Sequence, residues 1–225
     1  MALPLKTITP DMLAEDPFRL TRVDFEKDMS AAPLFALALI AVNIAVFAWE
    51  LSVGALASRE AVIAAGAVYG ERVFAGESWR LATGMFLHAG FSHLIGNCLV
   101  LYVLGLASEQ AWGRLRALQI YFFSGLGSSL LTAFMQPKPS VGASGAIFGL
   151  LGAAIVFFFR NSPCLHPRAR RIGSALLGWG LFQLALGFTS PIVDNWGHLG
   201  GLLTGAAFGA ILPSRLFSRE CSVKP

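Results

Sequence analysis

Charged residues are scarce in this sequence of 225 residues: 13% of its positions are Asp, Glu, Lys or Arg, whereas 55% are hydrophobic. Soluble domains carry about 25% charged residues, and a soluble fold of this size leaves much of its chain facing water. These proportions exclude an ordinary soluble domain and favour a protein that is embedded in a lipid bilayer.

Cysteine is also rare, with three residues that form neither a CxxC motif nor a Cys/His cluster. A zinc site or a disulfide framework is therefore not predicted. The Lys and Arg residues lie between apolar runs and form no stripe with aromatic residues, so nucleic acid is not an expected partner.

Six apolar runs follow one another along the chain, at about 34–50, 92–108, 117–134, 144–159, 172–188 and 195–213. Prolines lie in the gaps or at the ends of these runs, where helix breakers belong. The stretch 52–78 is semi-apolar and interrupted by glycine, which is typical of an interfacial loop with short helices. The pattern predicts an all-α membrane protein with six transmembrane helices.

Lys and Arg are unequally divided between the two sides that six spans define. The N-terminal segment, the loops 109–116 and 160–171 and the C-terminal tail carry 13 of them, and the remaining loops carry 4. Because cytoplasmic loops are enriched in Lys and Arg, both termini are predicted to be cytoplasmic. Cys164 and Cys221 would then face a reducing compartment as thiols.

Polar side chains lie at the starts of spans two, four and six, and such groups are costly in lipid. They are His93 and Asn97, with His88 just before them, then Ser144 within Gly142-Ala143-Ser144-Gly145, and His198. The predicted orientation puts all three span starts at the non-cytoplasmic face. The sequence therefore predicts one assembled site.

A serine hydroxyl becomes a nucleophile when neutral imidazole takes its proton, which makes His198 the candidate base for Ser144. The Asn97 amide, His88 and the Ser144 backbone N–H are candidate donors to a developing oxyanion. Span four is only about 16 residues, or about 24 Å, against a hydrocarbon core of about 30 Å. Ser144 is therefore expected in a water-filled depression open to the outside.

Small residues form stripes on the two helices that carry the candidate pair. Gly145, Gly149 and Gly152 lie on span four, and Gly197, Gly201, Gly205 and Gly209 form an i+4 ladder on span six. Since glycine lets helix backbones approach closely in lipid, the stripes predict that Ser144 and His198 come within hydrogen-bond distance.

Each of these residues also has a structural interpretation. A serine at a helix start is ordinarily an N-cap, and Asn97, His88 or His93 could be interhelical hydrogen bonders. For His93 the structural interpretation is preferred, with a further place lining the oxyanion pocket. Asp194, at i−4 from His198, invites a Ser-His-Asp triad, but its position at a loop edge favours a solvated side chain.

In order and spacing, the motifs resemble the rhomboid family of intramembrane serine proteases, in its bacterial six-span form. The matching residues are Trp79-Arg80, His88, His93-xxx-Asn97, Glu109, Gly142-Ala143-Ser144-Gly145 and His198-Leu-Gly-Gly201-xxx-Gly205. The resemblance implies a six-helix bundle around a short central helix, catalysis by Ser144 and His198 without metal or cofactor, and support from Gly142, Gly145, His93 and Phe148. It also implies that Trp79-Arg80 braces the first outer loop.

Three positions depart from the pattern of the family. Phe148 stands where many bacterial relatives have a tyrosine that stacks on the base, Gly84 where some have a further histidine, and Gly197 where alanine is frequent. Neither member of the Ser/His pair is lost, so activity is expected.

The implied function is hydrolysis of peptide bonds in or near the transmembrane segments of membrane-protein substrates in the bilayer. The alternative is a catalytically inactive rhomboid-like protein that binds membrane clients, although such a protein would lack Ser144 or His198. A transporter would need paired charges inside the spans, and an esterase would need a GxSxG elbow; neither occurs here.

The sequence divides into a cytoplasmic segment 1–31, a six-span catalytic domain 32–213 and a cytoplasmic tail 214–225. A multi-pass protein of the bacterial inner membrane is expected, because Lys and Arg are concentrated on one side of the predicted spans and no transit peptide is evident. The pattern specifies neither a natural substrate nor an oligomeric state.

Overall fold

A computed structural model describes residues 22–190 and 192–217 of the chain. Regular structure in these ranges is helical, with two isolated β-bridges. The long helices are α1 (Leu34–Ser52), α5 (Phe91–Trp112), α6 (Arg114–Met135), α7 (Ser144–Arg160), α8 (Pro167–Thr189) and α9 (Asn195–Ile211). Three short helices, α2 (Arg59–Ala65), α3 (Gly70–Phe74) and α4 (Arg80–Thr83), lie in the connection between α1 and α5. The first two fall within the stretch 52–78, where short helices were predicted.

Four helices in the described ranges, α1, α5, α6 and α8, are long and apolar enough to cross a membrane, and α7 is a shorter apolar helix. Large apolar side chains remain exposed on the outside of the bundle, for example Leu99 at 64% and Val103 at 62% on one face of α5. A protein in water would bury such a stripe, whereas lipid solvates it. The predicted all-α rhomboid-like membrane bundle is confirmed.

Helix α7 lies at the centre of the bundle, and most of its residues are buried. Its 17 residues rise about 26 Å, which is shorter than the roughly 30 Å of a bilayer core. Helices α6 and α9 pack along it. Because α5, α7 and α9 all begin at one face of the bundle, we call that face the site face and the other the opposite face.

Glycines bring α7 and α9 into backbone contact. A Cβ atom added at Gly201 would overlap the carbonyl oxygen of Gly145, and one added at Gly205 would overlap that of Gly149. The contacts extend the full length of the predicted ladder, since Gly209 lies against the backbone of Ala153. Only residues without a side chain fit this crossing.

A buried arginine, Arg80, fixes the connection between α1 and α5 at the site face. The Arg80 guanidinium is bonded to Glu77 at 2.6 Å, donates to the carbonyl oxygens of Ile63 and Ala67, and lies 4.5 Å from the ring centroid of Trp79. The hydrogen bond from Arg80 holds the pKa of the Glu77 carboxyl below its usual value. These contacts agree with the bracing role that the family resemblance implies for Trp79-Arg80.

The opposite face is closed by the two ends of the described chain. Phe25 is buried against the rings of Phe157 and Phe158. Gln110 donates to the carbonyl oxygen of Phe25, and Arg215 donates to the Gln110 side-chain oxygen. The described ends of the predicted segments 1–31 and 214–225 therefore pack on the bundle, and the remainder of both lies outside the described residues.

One prediction at this face is wrong. Cys164 is disulfide-bonded rather than reduced, and Cys221 lies outside the described residues. The prediction rested on the side of the membrane assigned to Cys164 and not on its contacts.

Candidate active site

Ser144 and His198 meet at the site face. The Ser144 Oγ lies 3.0 Å from His198 Nε2, which is hydrogen-bond distance. Ser144 is the first residue of α7, and His198 lies in the first turn of α9. Both side chains are partly exposed. The structure thus brings together the two residues that sequence analysis proposed as nucleophile and base.

Asp194 does not complete a triad. One of its carboxylate oxygens accepts the Gly197 N–H at 2.9 Å, and the other accepts the Thr132 hydroxyl at 2.6 Å. His198 Nδ1 has no hydrogen-bond partner among the described residues. Asp194 is therefore the N-cap of α9 and links this helix to α6. The prediction of a solvated Asp194 side chain is therefore wrong, because both carboxylate oxygens are bonded to neighbouring residues.

Phe148 stacks on the imidazole of His198. The two ring centroids are 4.1 Å apart, and the planes are 8° from parallel. Phe148 is one turn along α7 from Ser144 and is itself buried. The stack restricts the imidazole to one orientation.

The loop before Ser144 is fixed by backbone bonds to the connection between α1 and α5. Ser140 exchanges two backbone hydrogen bonds with Val68, and the Gly142 N–H donates to the carbonyl oxygen of Gly84 at 2.9 Å. Gly142 has a φ of +132°, and a Cβ atom there would lie 2.6 Å from His93 Cε1. Both its conformation and its contact therefore require glycine.

His93 and Asn97 lie beside this glycine turn. A Cβ atom at Gly142 would lie 3.0 Å from His93 Nε2 and 3.6 Å from Asn97 Nδ2. The Asn97 amide nitrogen is buried without a partner among the described residues. The backbone N–H of Ala89 donates to His93 Nδ1 at 3.4 Å. Neutral His93 then carries its proton on Nε2, the nitrogen that faces Gly142.

His88 differs from His93 in its burial and in the backbone group that its ring contacts. Its side chain is fully buried, and its Nδ1 lies 3.1 Å from the carbonyl oxygen of Phe86. Because a carbonyl oxygen only accepts, Nδ1 carries the proton, and Nε2 of neutral His88 has a lone pair instead of a hydrogen. In this tautomer His88 Nε2 has no hydrogen to donate to an oxyanion, whereas the partly exposed His93 carries an N–H beside Gly142.

Glu50 is a residue near the site that sequence analysis did not select. It lies in the last turn of α1, is 0% exposed, and accepts the backbone N–H of His88 at 3.0 and 3.2 Å. The available signal was an acidic residue at the end of an apolar run. The sequence alone did not show that this end is covered by the 84–90 loop.

A hydroxyl bonded to an imidazole, with amide and imidazole N–H groups one helix away, has the geometry of a serine hydrolase inside a helical membrane bundle. Comparisons with known proteins show the family of the chain. A family model described as "Rhomboid domain" matches residues 75–215. The chain belongs to the rhomboid family.

Among curated relatives, the chain is similar to the "Rhomboid protease GluP" of Bacillus subtilis (strain 168), at 37% identity over 80% of this chain and 35% of that protein. It is 42% identical to the "RHOMBOID-like protein 6, mitochondrial" of Arabidopsis thaliana, over 65% of this chain and 48% of that protein. It is 33% identical to the "Rhomboid protease AarA" of Providencia stuartii, over 76% of this chain and 69% of that protein. The chain thus spans between a third and a half of the length of the first two.

Proposed function

We propose that this chain is an intramembrane serine endopeptidase that hydrolyses peptide bonds in or near the transmembrane segments of membrane-protein substrates. The observation that carries the proposal is the 3.0 Å contact between Ser144 Oγ and His198 Nε2 at one face of a membrane bundle. Relatives named as rhomboid proteases support it.

The first step is attack by Ser144 Oγ on the substrate carbonyl carbon while His198 Nε2 takes the hydroxyl proton. His198 then gives that proton to the leaving amine, and an acyl-enzyme remains. Water, deprotonated by His198, hydrolyses the ester and restores Ser144. Phe148 holds the base and lies against the imidazolium that each step forms. No cofactor enters these steps.

The tetrahedral intermediates carry negative charge on the former carbonyl oxygen. Asn97 Nδ2, His93 Nε2 and the backbone N–H of Ser144 are the proposed donors. The N–H groups in the first turn of α7 have no partner within the helix, and the helix dipole adds to their effect. The fully buried His88 supports the pocket from behind, with its ring centroid 5.4 Å from that of His93.

Substrate is proposed to enter beside α8. Of the six long helices, α8 has the smallest share of buried residues among the described side chains, and Phe182 and Phe188 are exposed. Asn195 Nδ2 donates to the carbonyl oxygen of Leu184 at 3.1 Å and ties α8 to α9 at the site face. A helix with so few buried residues can move aside for a transmembrane segment at low cost.

The proposed location is the bacterial inner membrane, with the site face outward and the opposite face in the cytoplasm. Support comes from the excess of Lys and Arg in the segments that the sequence assigns to the cytoplasmic side. A half-buried dyad at the outward face is reached by water from the extracytoplasmic side.

A cleavage assay tests the proposed function. The purified chain in detergent is given a substrate with one transmembrane segment, and in parallel a soluble peptide of the same juxtamembrane sequence. We expect cleavage of the membrane substrate and little of the peptide. Absence of cleavage across several such substrates would favour the alternative, an inactive client-binding protein, which relatives named only as rhomboid-like leave open.

The assignment of the two histidines predicts unequal effects. His93→Phe and Asn97→Ala are each expected to lower kcat about 100-fold with little change in KM, because each removes a donor that acts in the transition state. The matched variant His88→Phe keeps a buried ring and is expected to cost much less. If His88→Phe lowers kcat as far as His93→Phe does, the assignment is wrong. The measurement is steady-state kinetics on one transmembrane substrate.

A further inference from the structure

Glu50 is a carboxyl group buried within the membrane bundle, and the proposed mechanism does not use it. Its side chain is 0% exposed, and the described residues include no cationic group in contact with it. Burying such a group costs free energy unless it is bonded. An ionisable residue inside a membrane helix is therefore a candidate for a functional role.

The contact that Glu50 makes is with the backbone of the 84–90 loop. Both carboxylate oxygens accept the N–H of His88, at 3.0 and 3.2 Å. One turn earlier on the same helix, the Phe47 ring packs edge-on against that of Phe91, the first residue of α5, with centroids 4.9 Å apart. The end of α1 is thereby fastened to the segment that leads into α5.

The backbone of this segment determines which ring nitrogen of His93 carries the proton. Ala89, the residue after His88, donates its N–H to His93 Nδ1, which leaves the proton on Nε2 beside Gly142. A loop that moved by about an ångström would lose this long bond, and misplacement of that size is enough to impair catalysis.

We propose that Glu50 is a positioning residue of the active site: its carboxylate holds the His88–Ala89 backbone, and that backbone in turn fixes the orientation and tautomer of His93. The inference rests on the proposed protease function. It assigns α1 a part in catalysis through a group that does not touch the substrate.

Three variants test the proposal in the cleavage assay. Glu50→Leu fills the space without an acceptor and is expected to lower kcat about tenfold at nearly unchanged KM. Glu50→Gln keeps one carbonyl oxygen as acceptor and is expected to restore most of that loss. Asn43→Leu is the control, because Asn43 is equally buried on α1 but lies two turns away from the loop. Equal kcat for Glu50→Leu and wild type would overturn the proposal.

A double-mutant cycle with His93 distinguishes positioning from general destabilisation. If Glu50 acts through His93, adding Glu50→Leu to His93→Phe should change kcat by less than about twofold. Independent losses that multiply would contradict the proposal.

Amide hydrogen exchange examines the contact without using activity. Faster exchange at residues 84–90 in Glu50→Leu, but not in Asn43→Leu, is expected, and unchanged exchange would overturn the proposal. An inactive wild type that still showed this exchange pattern would contradict the protease function and leave the contact established. The exchange data and the cleavage data thus distinguish failure of the positioning role of Glu50 from failure of the protease function.

Discussion

Ser144→Ala and His198→Ala are each expected to lower cleavage of a transmembrane substrate by at least about 10⁴-fold, because members of a catalytic pair act as a unit. The two losses should not add. Once the hydroxyl is gone, the imidazole has no proton to take, and once the imidazole is gone, the hydroxyl is not activated. The double variant should therefore be no slower than either single variant.

The fold should tolerate both changes. Ser144 and His198 are partly exposed. The side-chain contacts that the variants lose are the bond between the two residues and, in His198→Ala, the stack on Phe148. Thermal unfolding in detergent should shift by only a few degrees. The control is Asp194→Asn, which keeps a side-chain oxygen for the α9 N-cap and should retain far more activity than His198→Ala. Loss of activity in Asp194→Asn equal to that in His198→Ala would restore the triad as the better mechanism.

Gly201→Leu is expected to lower kcat/KM at least about 100-fold through the geometry of the pair. A Cβ atom at Gly201 would overlap the carbonyl oxygen of Gly145. Gly145 follows Ser144, and Gly201 lies less than one turn after His198, so separation of the helices at this contact lengthens the distance between hydroxyl and imidazole. Neither backbone can yield without moving its helix.

The control for this variant is Gly178→Leu on α8. A Cβ atom at Gly178 would meet no atom within 4 Å, so the change should leave kcat within about twofold, although α8 borders the proposed entry path and KM can change. Both variants add the same side chain to a membrane helix, and the comparison isolates the effect of the crossing. Full activity of Gly201→Leu would show that the close contact between α7 and α9 is not required.

The apolar runs and the glycine ladder were sufficient to predict much of this structure. A run of lipid-compatible residues bounded by proline specifies a helix with little dependence on its neighbours. Glycines spaced by four mark a helix crossing. The contact between Ser144 and His198 could therefore be predicted from the sequence alone. The glycines that bring the two helices together lie within a few turns of Ser144 and His198, so a short stretch of sequence is enough to reveal them.

The roles of the two histidines could not be predicted in this way. His88 and His93 are the same residue type, five positions apart, and each is next to the site. Their difference lies in the backbone groups that they meet, the carbonyl of Phe86 and the N–H of Ala89. These contacts depend on the path of the 84–90 loop, which no side-chain pattern encodes.

Glu50 and Asp194 were missed or misread for a related reason. Each carboxylate is partnered by groups far away in sequence, such as the backbone N–H of His88 and the hydroxyl of Thr132. Periodicity shows which face of a helix is apolar but not which loop covers its end. The same holds for Phe25, whose burial against α7 is a consequence of how the opposite face closes.

Labelling with a fluorophosphonate probe most directly tests the central claim that His198 activates Ser144. We predict that mass spectrometry will find one adduct on wild-type protein in detergent, at Ser144. No adduct should form on Ser144→Ala, and His198→Ala should show little although its hydroxyl remains. A wild type unlabelled at Ser144, or a His198→Ala variant labelled as fast as wild type, would contradict the account.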